Sequence, residues 1–203
     1  MILHYMDELK ESKRLINFIS SWVDLSQIDI EELQPKLSIE IYDKGDIIVK
    51  QGQICKYLKF VISGIYRVYQ LKNGKEITSY FNYESRNPLV ASFVSLLKGQ
   101  PSNEIIECIV PGKLISIPYS DWKNLYSISS SFNTFGRLIA EFNYVLAIER
   151  IESLQYQSAS ERYDIFIKCY PNLLNLIPHH YIASYLGVTP ESLSRIRKVS
   201  IKK

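Results

Sequence analysis

The segment Pro178–Lys198 constrains this chain more than any other. It reads Pro178-His179-His180-Tyr181-Ile182-Ala183-Ser184-Tyr185-Leu186-Gly187-Val188-Thr189-Pro190-Glu191-Ser192-Leu193-Ser194-Arg195-Ile196-Arg197-Lys198. Two short helices that cross closely need a small residue at their contact and a left-handed residue at the turn. Ala183 and Gly187 supply these. Thr189 suits the cap of the second helix, and Pro190 its first position, where a missing N–H costs nothing. Ile182, Leu186, Val188, Leu193 and Ile196 would face inward as a small core. The pattern predicts a helix-turn-helix. Its candidate contact residues are Thr189, Pro190, Glu191, Ser192, Ser194, Arg195, Arg197 and Lys198.

Glu191 and Arg195 are spaced to share one helix face. An arginine at such a place can read guanine by a bidentate pair, and a glutamate can accept from cytosine or hold the arginine. Arg197, Lys198, Lys202 and Lys203 suit phosphates, which give affinity without sequence information. A surface ion pair with no further role is the alternative for Glu191 and Arg195. His179 and His180 suit phosphate contacts or plain surface. The charge is distributed accordingly. The net charge is +3 over 203 residues, yet Ser158–Lys203 carries seven Lys/Arg against three acids, or +4, which leaves −1 for the rest. A basic end on a near-neutral body suits a polyanion, or is a solvated tail.

From Leu37 to Pro118 the texture is of short β-type runs between turn residues. The runs are Leu37–Tyr42, Ile47–Val49, Tyr57–Ile62, Ile65–Leu71, Glu76–Phe81, Ile105–Val110 and Leu114–Ile117. Asn73-Gly74 marks a hairpin, and Pro88–Leu97 suits a short helix. Strands this short and regular predict a barrel or sandwich. Residues 1–36 have helical periodicity (Leu9, Leu15, Ile16, Phe18, Ile19, Trp22, Val23), with a break at Pro35. Tyr119–Tyr126 reads as a short helix. A long one follows, capped near Ser129-Ser130-Ser131 and running to about Gln157, with a stripe of Phe135, Leu138, Phe142, Val145 and Ile148 or Leu146. A two-fold mate would bury that stripe; packing across its own domain is the alternative.

The fold class is therefore α+β: N-terminal helices and an antiparallel β-roll, a long dimerisation helix, and a C-terminal helix-turn-helix with little or no wing after it. The expected domains are 1–126, 127–157 and 158–203. Cys55, Cys108 and Cys169 are scattered and odd in number, which fits buried thiols in a reducing compartment rather than a disulfide framework. No signal peptide or membrane-length apolar run is evident, so a cytoplasmic location is expected. The barrel segment contains no His, against a metalloenzyme of the cupin type. No nucleophile–base pair is visible. The chain is expected not to be an enzyme and to need no metal or cofactor.

The order of parts resembles the Crp/Fnr family of transcriptional regulators. The resemblance rests on Gly45-Asp46-Ile47-Ile48, Gln51-Gly52, Phe60-Val61-Ile62-Ser63-Gly64 and Asn73-Gly74-Lys75-Glu76 in the roll, then the long helix and the terminal helix-turn-helix. Glu161-Arg162-Tyr163, Pro171 and the motif above look like its Bacteroidetes-type branch. The resemblance implies a sequence-specific regulator that binds double-stranded DNA as a homodimer. In the family's recognition helix an Arg-Glu pair and a second Arg read bases. Glu191 and Arg195 fall at the second and third of these, and Pro190 at the first, so one base contact is missing.

The family's cyclic nucleotide binders place a Glu on the ribose and an Arg-Ser/Thr pair on the phosphate. Here Ser92 falls at the Glu, and Ser102-Asn103 at the Arg-Ser/Thr. These three are the candidate effector-pocket residues, and both charged groups are absent. A phosphate there would be poorly compensated, with Lys98 as the one substitute within the segment. No tight cyclic AMP binding is expected, and any small-molecule effector is unknown. An iron–sulfur cluster needs about four Cys ligands, and a haem lacks a histidine in the roll. The competing reading is a ligand-sensing or protein-interaction module without sequence-specific DNA binding.

Overall fold

The computed structural model describes residues 2–84 and 86–200, with side chains from residue 10 onward. Lys202 and Lys203, and the side chain of Leu9, lie outside the described residues. Backbone contacts divide the chain into two compact units, one of residues 1–68 and 81–141, the other of residues 69–80 and 142–203.

The first unit opens with helices α1 (Ile2–Ser20) and α2 (Gln27–Leu33), the second followed by a 3₁₀ turn, Gln34–Lys36. The expected N-terminal helices are thus two, with the 3₁₀ turn after them. Ser26 begins α2 with a capping box: its hydroxyl accepts from Asp29 N–H, and the Asp29 carboxylate accepts from Ser26 N–H. Pro35 lies inside the 3₁₀ turn rather than at a break before it, because a first-turn proline gives up no helix bond.

Eight strands follow: β1 (Ser38–Tyr42), β2 (Ile47–Val49), β3 (Tyr57–Val61), β4 (Ile65–Lys72), β5 (Lys75–Asn82), β6 (Leu89–Val90), β7 (Ile105–Val110) and β8 (Gly112–Pro118). They form two four-stranded sheets, ordered β1-β8-β3-β6 and β2-β7-β4-β5. The Pro88–Leu97 stretch is split between β6 and a short helix, α3 (Phe93–Lys98), that ends on left-handed Gly99.

Strand register assigns the faces of the first sheet. Lys59 is opposite Ser116 on one side and Val90 on the other, while Phe60 is opposite Ile115 and Leu89. Side chains alternate across a sheet, so Phe60, Ile115 and Leu89 share one face. That face joins Leu15 and Ile19 of α1, Trp122 and Leu125 of α4 (Tyr119–Ile128), and Phe132 and Phe135 of α5 (Ser130–Tyr156) in the main core. Trp122 meets both Phe132 and Phe135 edge-on at 5.9 Å. The opposite face, with Lys59, Ser116 and Val61, turns into the roll.

Two glycines let the backbone cross itself at the edge of the roll. A Cβ at Gly64, where φ is +88°, would sit 2.7 Å from the Val110 carbonyl. One at Gly112 would meet the Ser63 carbonyl at 2.1 Å. The Ser63-Gly64 turn of the sequence is therefore a steric requirement as well as a conformational one.

Helix α5 has 27 residues and is about 40 Å long. Phe132 and Phe135, in its first turns, are buried in the first unit. Further along, Phe142, Val145 and Ile148 are 39%, 52% and 37% exposed. The start of the helix thus packs across its own domain, and the later positions of the stripe are exposed.

The second unit holds the rest of α5 and α6 (Ala159–Cys169), α7 (Leu173–Leu176), α8 (His179–Leu186) and α9 (Pro190–Ser200). The turn end of the β4–β5 hairpin, residues 69–80, belongs to it.

Candidate nucleic-acid interface

Helices α8 and α9 meet where the sequence places the helix-turn-helix. Gly187 is the left-handed cap of α8, with φ +68°, and its N–H reaches the Ala183 and Ser184 carbonyls. Ile182, Ala183, Leu186 and Leu193 are at most 1% exposed, while Val188 and Ile196 are half-buried. Thr189 Oγ1 accepts the Ser192 N–H at 3.2 Å, as an N-cap should. Pro190 is the first residue of α9.

Leu193 fixes which way α9 faces. At 3.6 residues per turn, the side opposite it carries Glu191, Ser194, Arg195 and Lys198, all exposed. Thr189 and Ser192 are occupied by the cap. Arg197 flanks the motif, its guanidinium 3.0 Å from the His179 ring nitrogens. The Glu191 carboxyl lies below the ordinary range, held there by a backbone hydrogen bond, by Thr189 and by the charge of Arg195. It is therefore an anion at neutral pH, able only to accept hydrogen bonds.

Two arginines and a serine fix the motif within its unit, and the sequence pattern alone does not reveal their contacts. Arg162 Nε donates to the Leu186 carbonyl at 2.9 Å and Nη1 to the Gln157 carbonyl at 2.6 Å, closing the ends of α8 and α5 together. Arg150, on α5, stacks 4.0 Å over the Tyr185 ring and donates to the Tyr185 carbonyl. Ser184 Oγ accepts from Thr78 N–H and donates to the Glu76 carbonyl, both at 2.9 Å. It thereby caps the free edge of β5, the outermost strand of its sheet.

The candidate effector residues are partly brought together. Ser92 and Ser102 are each 2% exposed, their hydroxyls 2.8 Å apart, whereas Asn103 is exposed. Lys98 is exposed too. What the sequence reading missed is Glu104. Ser92 Oγ donates to its carboxylate at 2.9 Å, and its N–H donates to Ser102 Oγ at 3.0 Å. A phosphate directed at these serines would meet a carboxyl group instead of a guanidinium. The signal was present as an acid two residues after Ser102, but nothing in the pattern says that it turns inward.

Burial pushes the Glu104 carboxyl above its usual range, partly offset by the Ser92 hydrogen bond. The folded state then holds a proton that the unfolded state releases, so stability falls as pH rises from the unfolded value through the folded one. Glu104→Gln removes this loss. Urea unfolding is expected to show the variant gaining on the parent at pH 7 and much less at pH 4. An equal difference at both pH values would contradict the assignment.

Cys55 and Cys108 are buried, Cys169 is half-buried, and none of the three is in a disulfide. Among the described residues no cluster of His, Cys, Asp or Glu is arranged for a metal ion, and no helix is long and apolar enough to cross a membrane.

Comparison with known proteins gives this arrangement its place. Residues 39–129 match the cyclic nucleotide-binding domain family. Solved structures match over both units. FixK2 from Bradyrhizobium japonicum is 19% identical with a TM-score of 0.67, over 80% of this chain and 83% of that one. A protein from Eubacterium rectale, assigned to the Crp/Fnr family of transcriptional regulators, is 21% identical with a TM-score of 0.67, over 88% and 85%. This chain has the Crp/Fnr fold. A CooA variant from Carboxydothermus hydrogenoformans agrees, 15% identical with a TM-score of 0.66, over 91% and 83%. No curated protein sequence matches. The Crp/Fnr fold accounts for the order seen here: roll, long helix, helix-turn-helix.

Proposed function

We propose that this chain is a sequence-specific DNA-binding transcriptional regulator that acts as a dimer and has no enzymatic activity. The observation that carries this reading is the outer face of α9. Burial of Leu193 leaves Glu191, Ser194 and Arg195 together on the solvent side, a mixed acceptor and donor set suited to base edges. Arg197 and Lys198, in the last turn, add phosphate contacts.

Dimerisation runs through α5. The exposed Val145 and Ile148 form an apolar strip on α5, and a second copy of the same helix covers it with matched spacing. Paired helices would present two copies of α9 to successive major grooves about one turn apart, roughly 34 Å. The roll serves as an effector domain whose cyclic-nucleotide chemistry is lost: Ser92, Ser102 and Asn103 offer a phosphate no cation, and Glu104 occupies the serines.

The double substitution Glu191→Ala, Arg195→Ala tests the DNA face. It removes side chains that are exposed, so folding should be unaffected. Each lost base contact is worth about 1–3 kcal/mol. Specific binding should therefore fall by at least tenfold, while binding to random duplex changes little. Unchanged specific affinity would favour a motif that serves a protein partner.

A further inference from the structure

A cavity of about 370 Å³ lies in the roll, walled by Ile48 and Val49 of β2, Ile54, Tyr57 of β3 and Val90 of β6, with Lys59 among them. None of Ser92, Ser102 and Asn103 lines it, but it adjoins the serine cluster: the backbone of Gln53, on its wall, accepts from Ser102 N–H at 2.9 Å. The size falls in the range of small-molecule sites, which are mostly apolar with a few convergent polar groups.

Lys59 is the unusual member. It is 8% exposed, on the inward face of β3. Its ammonium donates to Glu40 Oε1 at 2.5 Å and to Ser116 Oγ at 3.1 Å. An ammonium has three donors, so one remains, in a group that sits 5.3 Å from the Tyr57 ring on the cavity wall. Burial alone would raise the Glu40 carboxyl, but hydrogen bonds from Lys59, Tyr42 and Ser116 and the charge of Lys59 outweigh it and hold Glu40 ionised. A buried ion pair is costly beside apolar filling of the same volume. Here it borders a cavity instead of packed side chains. Lys56, exposed, also lines the cavity, which brings two ammonium groups to it.

We propose that this cavity binds a small apolar monocarboxylate, such as a medium-chain alkanoate, with its carboxylate on the remaining Lys59 donor and its chain against Ile48, Val49 and Val90. The proposal rests on reading the roll as an effector domain. Binding is non-covalent. Cys55 borders the same cavity, but burial pushes its thiol up, away from the nucleophilic thiolate.

Calorimetric titration of the DNA-free full chain with octanoate, and separately with octanamide, tests this. Octanoate should bind saturably, one per chain, and octanamide at least tenfold more weakly, because a charge-assisted bond is lost. Lys59→Met should weaken octanoate at least tenfold. Ile54→Trp, at a partly exposed wall position, keeps the test open if the Lys59 variant fails to fold, and should weaken octanoate by a similar factor. No saturable octanoate binding, equal affinity for the amide, or an unchanged affinity in Ile54→Trp would overturn the proposal. Since no DNA is present, those results would leave the reading of α9 standing, and a failure of DNA binding would leave this site standing.

Discussion

Replacing Val145 and Ile148 together by Glu should convert the protein from dimer to monomer and weaken binding to its operator by two orders of magnitude or more. Both residues are on the exposed stretch of α5, beyond Phe132 and Phe135, which bury themselves in the first unit. The substitution therefore removes no core contact and should leave each chain folded. It places like charges where two helices would meet, and a paired apolar seam does not tolerate them. A dimer engages two half-sites with the second contact made intramolecularly, a gain of roughly 10²–10⁴ over one half-site. Sedimentation equilibrium at micromolar concentration and titration of an operator duplex measure both effects. A dimer that survives the substitution would place the interface elsewhere.

The second large effect concerns the roll. Gly64→Ala should destabilise the protein by roughly 3 kcal/mol or more, from backbone strain together with a clash. The added Cβ meets the Val110 carbonyl at 2.7 Å and the Gly112 Cα at 2.9 Å, and neither is a flexible side-chain end. Gly74→Ala is the matched control. Gly74 also has positive φ, +73°, but nothing lies within 4 Å of its Cβ position. It should cost only about 1–2 kcal/mol, the price of a left-handed non-glycine residue. Urea unfolding of both variants separates the two contributions. Equal costs would mean that the crossing of Gly64 and Gly112 is looser than its distances indicate.

Local chemistry made much of this fold legible. Ala183, Gly187, Thr189 and Pro190 each satisfy a short-range requirement, and the helix-turn-helix formed where they stand. Asn73-Gly74 turned the hairpin, and both of its residues take positive φ. Less legible was what depends on facing. Lys59 reads as a surface residue in an apolar run until register places it opposite Ser116 and Val90. Glu104 reads as a solvated acid until the Ser92 hydroxyl is found on it. Ser184 sits among helix residues and gives no hint that its partners are Glu76 and Thr78, more than 100 residues away. The alternating or helical period tells which residues share a face, not what that face meets.

Sequence-specific DNA binding by a dimer is the central expectation for this protein. Selection of bound sequences from a random duplex library, with the full chain at moderate salt, tests it most directly. The expected result is enrichment of a near-palindrome whose half-sites are about one helical turn apart, roughly 34 Å, and loss of that enrichment in the Glu191→Ala, Arg195→Ala variant. No enriched sequence, or a lone asymmetric site bound by one chain, would contradict it.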